Sequence, residues 1–131
     1  MEPLIYYQHV SRRLSYNTKL KVRQILPIFL RRTGSIQSSE ILYKTALDVL
    51  KPRFPSNTDG ESNILAFYLL SLASISEGEK RKKMAPMNEM SEMTSLRLQM
   101  TMDRRSKFIS TLSNIMKKIS STQNTIVQNI K

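Results

Sequence analysis

His9 is the only histidine in the chain, cysteine is absent, and the ten acidic residues are scattered. A hydrolytic site needs a nucleophile, a base and an orienting group brought together, and no carboxylates gather around His9 in sequence. A hard-ligand metal site draws on several clustered carboxylates, and none is offered. Without cysteine there is no thiolate nucleophile, sulfur-based zinc site or disulfide framework. Three glycines are too few for a phosphate-cradling loop or a turn-rich β-fold. The reading is a protein that is not an enzyme and uses neither cofactor nor metal, with His9 as a surface or cap residue.

What remains is charge and apolar surface. The net charge is +11, an excess that favours polyanions: nucleic acid, anionic lipid or an acidic protein. Arg12, Arg13, Lys19, Lys21, Arg23, Arg31 and Arg32 make the first third strongly basic, with Tyr6, Tyr7 and Tyr16 nearby. Lysine and arginine neutralise phosphates without reading sequence, and tyrosines stack on exposed bases. Arg12, Arg13, Arg31 and Arg32 are therefore the candidate polyanion contacts. No helix-turn-helix, RNP or zinc pattern accompanies them. The run Lys80–Lys83 resembles an anion-binding patch but has little specificity, and after Asp103 no acidic residue occurs.

The apolar signal is stronger. From about Met87 to Lys131 the chain has no Pro or Gly, and apolar residues recur at helical spacing. Phe108, Ile109, Leu112, Ile115, Met116, Ile119, Ile126 and Ile130 form a broad stripe, widened by Val127 and interrupted by Gln123. A helix carrying such a stripe buries it against another helix, in its own chain or in a partner. These eight residues are the candidate partner-binding surface. Upstream, Met90, Met93 and Leu96 share a face that reads as core filling, although methionine-rich faces also suit partners of differing shape. The stripe changes register near Asp103–Arg105, against one continuous coiled-coil seam.

The elements that must position this stripe are helical. The expected fold is all-α, with short N-terminal helices, an apolar core helix and a long C-terminal amphipathic helix. The last two form a helical hairpin, with flexible linkers between elements. Residues 1–60 read as a basic, partly helical region and 61–131 as the hairpin. Leu14 to Leu30 suggest a helix ending at Thr33–Gly34 in a glycine left-handed cap, divided or kinked by Pro27. Ser35–Ser39 offer cap hydroxyls for a helix over Glu40–Leu50, with Ile41, Leu42, Ala46, Val49 and Leu50 as its face. Lys51–Gly60 is a loop and the best candidate boundary. Ile64–Ile75 is almost wholly apolar, yet its twelve residues fall short of the roughly 20 that cross a bilayer. No transmembrane segment is expected. A second break is expected over Ser76–Lys83, ending at Ala85–Pro86, after which the long helix opens at Asn88.

The segment Met87–Asp103, continuing through Ser110–Lys118 to Gln128–Lys131, resembles the Ser/Thr/Asn-rich helical tails of small type III secretion proteins. Within that group it most resembles the accessory proteins of the MxiL or OrgC kind. The resemblance implies a role in virulence-linked protein transport, supporting secretion or needle assembly through helix packing with other components of the apparatus or through self-association. It also implies a place in the bacterial cytoplasm, or export without a cleaved signal peptide. The opening residues Met1–Tyr7 lack the basic leader and long apolar run of a secretory signal. The alternative, from another class, is a small basic nucleic-acid-associated protein using the Arg12–Arg32 region.

Overall fold

The computed structural model describes residues 3–34 and 37–122. They form five α-helices: α1 (Pro3–Arg13), α2 (Tyr16–Arg32), α3 (Ser39–Leu50), α4 (Asp59–Lys82) and α5 (Glu92–Thr122), with a short 3-10 turn at Met87–Glu89 before the last. No strand occurs among the described residues. The all-helical expectation holds, including the core helix and the long C-terminal helix.

Four helices start on a hydroxyl. Ser15 Oγ accepts from Thr18 N at 3.1 Å, Ser38 Oγ from Ile41 N at 3.3 Å, and Ser91 Oγ from Thr94 N at 3.2 Å. At α4, Thr58 Oγ1 accepts from Glu61 N while the Glu61 carboxylate accepts from Thr58 N at 3.0 Å, a reciprocal capping box. Each cap satisfies an amide that has no partner inside its helix. The N–H donated by Thr58 also holds the Glu61 carboxyl below the usual carboxylate range.

Helix α4 lies at the centre. Every residue from Asn63 to Ser71 is buried, so this stretch has no solvent face. A helix apolar all round must be enclosed, and α1, α2, α3 and α5 all pack on it, α5 most extensively. Ile64–Leu70 and Ala73 join Tyr6 and Val10 of α1, Val22, Ile25 and Phe29 of α2, Leu42, Ala46, Val49 and Leu50 of α3, and Phe108, Leu112, Ile115 and Ile119 of α5 in one cluster. The core therefore runs without interruption across the Lys51–Thr58 turns. No helix among the described residues is long and apolar enough to cross a membrane.

Several local expectations are corrected. The first helix begins at Pro3, ahead of the Leu14–Leu30 pattern, and Ser15 separates it from α2. Helix α2 continues through Pro27. Pro27 and Arg23 both lie on its exposed side, where water is available to the carbonyl that loses its partner. Thr33, not a left-handed glycine, closes α2, and no described glycine has positive φ. Its hydroxyl donates back to Phe29 O at 3.0 Å. The Ser76–Lys83 break does not occur, because α4 runs on to Lys82. Gly78 sits inside that helix, where the Arg105 side chain lies so close that a Cβ would stand 3.1 Å from its Nε. Finally, Asn88 falls in the 3-10 turn, and Ser91 is the cap of α5. Of the expected α3 face, Ile41 is exposed and the other four are buried.

Leu70, fully buried on α4, gives the sharpest check of this architecture. Leu70→Asp places an unpaired carboxylate in the contact and is expected to destabilise the protein by about 3–5 kcal/mol, read as a lower denaturation midpoint. An unchanged midpoint would remove α4 from the core.

Candidate protein interface

The described part of the stripe, from Phe108 to Ile119, is largely internal. Phe108, Leu112, Ile115 and Ile119 are buried in the chain's own core, Met116 packs against that core half-buried, and Ile109 is half-buried. Ile126 and Ile130, with Gln123 and Val127, lie outside the described residues, as do Ser35 and Ile36. From Phe108 to Ile119 the stripe packs on α4, α3 and Phe29 of α2, so that part is not a free partner surface. The reason is supply: the all-apolar stretch of α4 needs covering on every side, and α5 is its largest neighbour.

The four arginines do not make one patch. Arg12, Arg13, Arg31 and Arg32 are all exposed, but they end α1 and α2 respectively. The two pairs thus stand at opposite ends of α2, roughly 25 Å apart at ~1.5 Å per residue. Their tyrosine companions are mostly engaged. Tyr6 meets Phe67 edge-on with centroids 4.7 Å apart, and Tyr7 stacks on Tyr68 at 5.6 Å. Burial pushes the Tyr6 phenol up, and burial with Tyr68 beside it pushes the Tyr7 phenol up. Both hydroxyls stay protonated, as packing groups. Tyr16 alone of the three is largely exposed. His9 is half-buried on α1, and no cluster of three His, Cys, Asp or Glu suited to a metal occurs among the described residues.

A buried polar clasp joins three helices where sequence reading saw only a register change. Glu77 of α4 is 2% exposed. Its Oε1 lies 3.6 Å from Arg104 Nε of α5 and 3.3 Å from Lys80 Nζ. Arg104 Nη2 donates to Leu30 O at 2.8 Å and to Thr33 Oγ1 at 3.3 Å, covering the carbonyl end of α2. A cation there meets the negative end of the helix dipole. The guanidinium also rests 5.5 Å from the Phe108 ring centroid, and that ring lies 5.9 Å from Phe29. One arginine thus fixes α5 against α2 and α4 at once. No local motif marks it, since Glu77, Arg104 and Leu30 are distant in sequence.

Beyond the clasp, the start of α5 and the end of α4 project with little cover. Met93, Leu96 and Met100 are 64%, 56% and 54% exposed, and at steps of three and four they share one face of α5. Met87 is exposed beside them in sequence. Met93 and Leu96 are thereby corrected from core filling to surface, and Leu98 faces inward instead. Next to the stripe, Gly34, Glu77, Lys80, Met84, Arg97, Met100, Thr101 and Arg104 line an open cleft of about 270 Å³. Scattered apolar side chains on a surface mean little, whereas a contiguous set at helical spacing beside a cleft has the form of a helix-docking site.

No protein-family model, curated protein or solved structure matches the chain.

The clasp and the internal stripe give two expectations. Arg104→Met leaves the Glu77 carboxylate buried with only Lys80 and is expected to cost about 3 kcal/mol, most of which Glu77→Leu added to it restores. Denaturation of the two single variants and the double variant closes that cycle. Replacing Leu112, Met116 and Ile119 together by Ser removes core volume worth about 2–5 kcal/mol at each buried site. Against a total of ~5–15 kcal/mol, the cooperative thermal transition should vanish. A triple variant that stays folded would return the stripe to the surface.

Proposed function

We propose that this is a non-enzymatic helical protein that acts by holding other proteins, and that those proteins are components of a bacterial type III secretion system. In that role it supports secretion or needle assembly, from the bacterial cytoplasm or after export without a cleaved signal peptide. The observation that carries the protein-binding part is the exposed Met93–Leu96–Met100 face, an apolar stripe left open by a fold that buries its other long stripe. The resemblance of the Met87–Lys131 segment to the helical tails of small secretion accessory proteins supports the choice of system. The whole of the exposed stripe falls in that same segment.

One second reading has its own observation. Arg12, Arg13, Arg31 and Arg32 are exposed and available to a polyanion, so nucleic-acid association is the alternative. Its split into two distant pairs and the engagement of Tyr6 and Tyr7 weaken it. Phosphate-driven binding falls steeply with salt, whereas apolar docking changes little or strengthens.

Complementation in the encoding bacterium separates the two. Deleting the gene is expected to abolish or strongly reduce secretion, and the wild-type chain to restore it. Met93→Ser, Leu96→Ser and Met100→Ser together should fail to restore it although the chain remains folded, because each side chain removed from an apolar contact is worth up to about 1.5–3 kcal/mol. Replacing Arg12, Arg13, Arg31 and Arg32 by Gln should have the smaller effect, an exposed charge contact being worth about 0–1 kcal/mol. The reverse pattern favours the polyanion, and a deletion with normal secretion rejects the secretion role.

A further inference from the structure

We infer that the occupant of the Met93–Leu96–Met100 face is an amphipathic helix of another protein with acidic residues flanking its apolar stripe. This rests on the protein-binding reading above and names the chemistry of the partner. Three features at the same tip lead to it.

The first is shape. The exposed stripe borders the cleft between the end of α4 and the start of α5, and Met100 belongs to both. An apolar row beside a shallow concavity suits the row of side chains that a helix presents at steps of three and four. Methionines at 84, 93 and 100 let that surface adjust to the incoming residues.

The second is charge. Lys80 and Lys82 are paired with Glu77 and Glu79. Arg81, Lys83 and Arg97 are exposed and make no ion pair among the described residues. Arg97 lines the cleft itself, and Arg81 and Lys83 close α4 beside it. A partner with carboxylates along the edge of its stripe meets these cations, which sets its orientation and speeds encounter.

The third is what the same surface disfavours. A second copy would bring a chain of net charge +11 and its own basic tip against this one. An anionic membrane would be met without any Trp, Tyr or Phe between Met84 and Lys107. Helices that lie in a membrane surface carry aromatic anchors on the apolar side and basic residues on the polar one.

The test uses the full chain and two synthetic helical peptides of identical Leu pattern, one flanked by Glu and the other by Lys. Binding is read by fluorescence anisotropy at two salt concentrations. The Glu peptide is expected to bind at least tenfold more tightly than the Lys peptide. Replacing Met93, Leu96 and Met100 by Ser should weaken it at least tenfold with the thermal midpoint unchanged. Replacing Arg81, Lys83 and Arg97 by Gln should bring the two peptides to within about threefold of each other. Equal affinity for both peptides, or tight binding that survives the three serines, overturns the inference. So does either of two other outcomes: dimers of the free chain that the three serines dissociate, or adsorption to phosphatidylglycerol vesicles without binding of the Glu peptide. If the serine variant fails in secretion while the peptides bind equally, the protein-binding function stands and only the acidic partner falls.

Discussion

Burial of α4 on every side is the constraint from which the rest of the architecture follows. A helix whose residues 63–71 have no solvent face cannot be covered by one neighbour, and four other helices surround it. Removal of apolar side chains from water is worth about 1.5–3 kcal/mol for each large residue, so covering α4 dominates the choice of packing. It draws in Tyr6 and Val10 from the first helix and Ile119 from the last. The apolar face of α5 is consumed by this demand along its second half, from Phe108 onward.

Its first half is governed by the polar clasp. Arg104 reaches the end of α2 through Leu30 O and Thr33 Oγ1, and α4 through Glu77. A charge group held between three helices has few alternative arrangements, and this fixes how far α5 slides along α4. The residues before it, from Glu92 to Met100, are carried past the region that α2 covers. Exposure of Met93, Leu96 and Met100 is thus a consequence of register. The protein closes one apolar surface to build its fold and leaves a smaller one open.

Fold class was legible because α4 and α5 announce themselves: a twelve-residue apolar run and a stripe at 3.6-residue spacing both demand helix. The Ser38 cap and the hairpin pairing were legible for the same local reasons. The extent of α4 was not. Gly78 and the charged run after it look like a break, but the helix runs on through them with Arg105 packed close to Gly78 and Lys80 paired to the buried Glu77. Helix α2 passes Pro27 because its lost hydrogen bond falls on the wet side, which no local pattern reveals. For the candidate site the periodicity located an apolar surface correctly but could not say which of two stripes the fold would close. That depends on the demand made by α4, a tertiary quantity. The exposed face could have been suspected from composition, since six of the eight methionines lie between Met84 and Met102.

Amide hydrogen exchange on the isolated, monomeric chain tests this division of the two stripes most directly. Amides in a packed core open only with large-scale unfolding, whereas those of a thinly covered helix open locally. Residues 64–70 and 108–119 are expected to exchange slowest and together, and residues 92–100 orders of magnitude faster. Exchange at 108–119 as fast as at 92–100 would contradict it, showing that the Phe108–Ile119 face is closed only when a partner covers it.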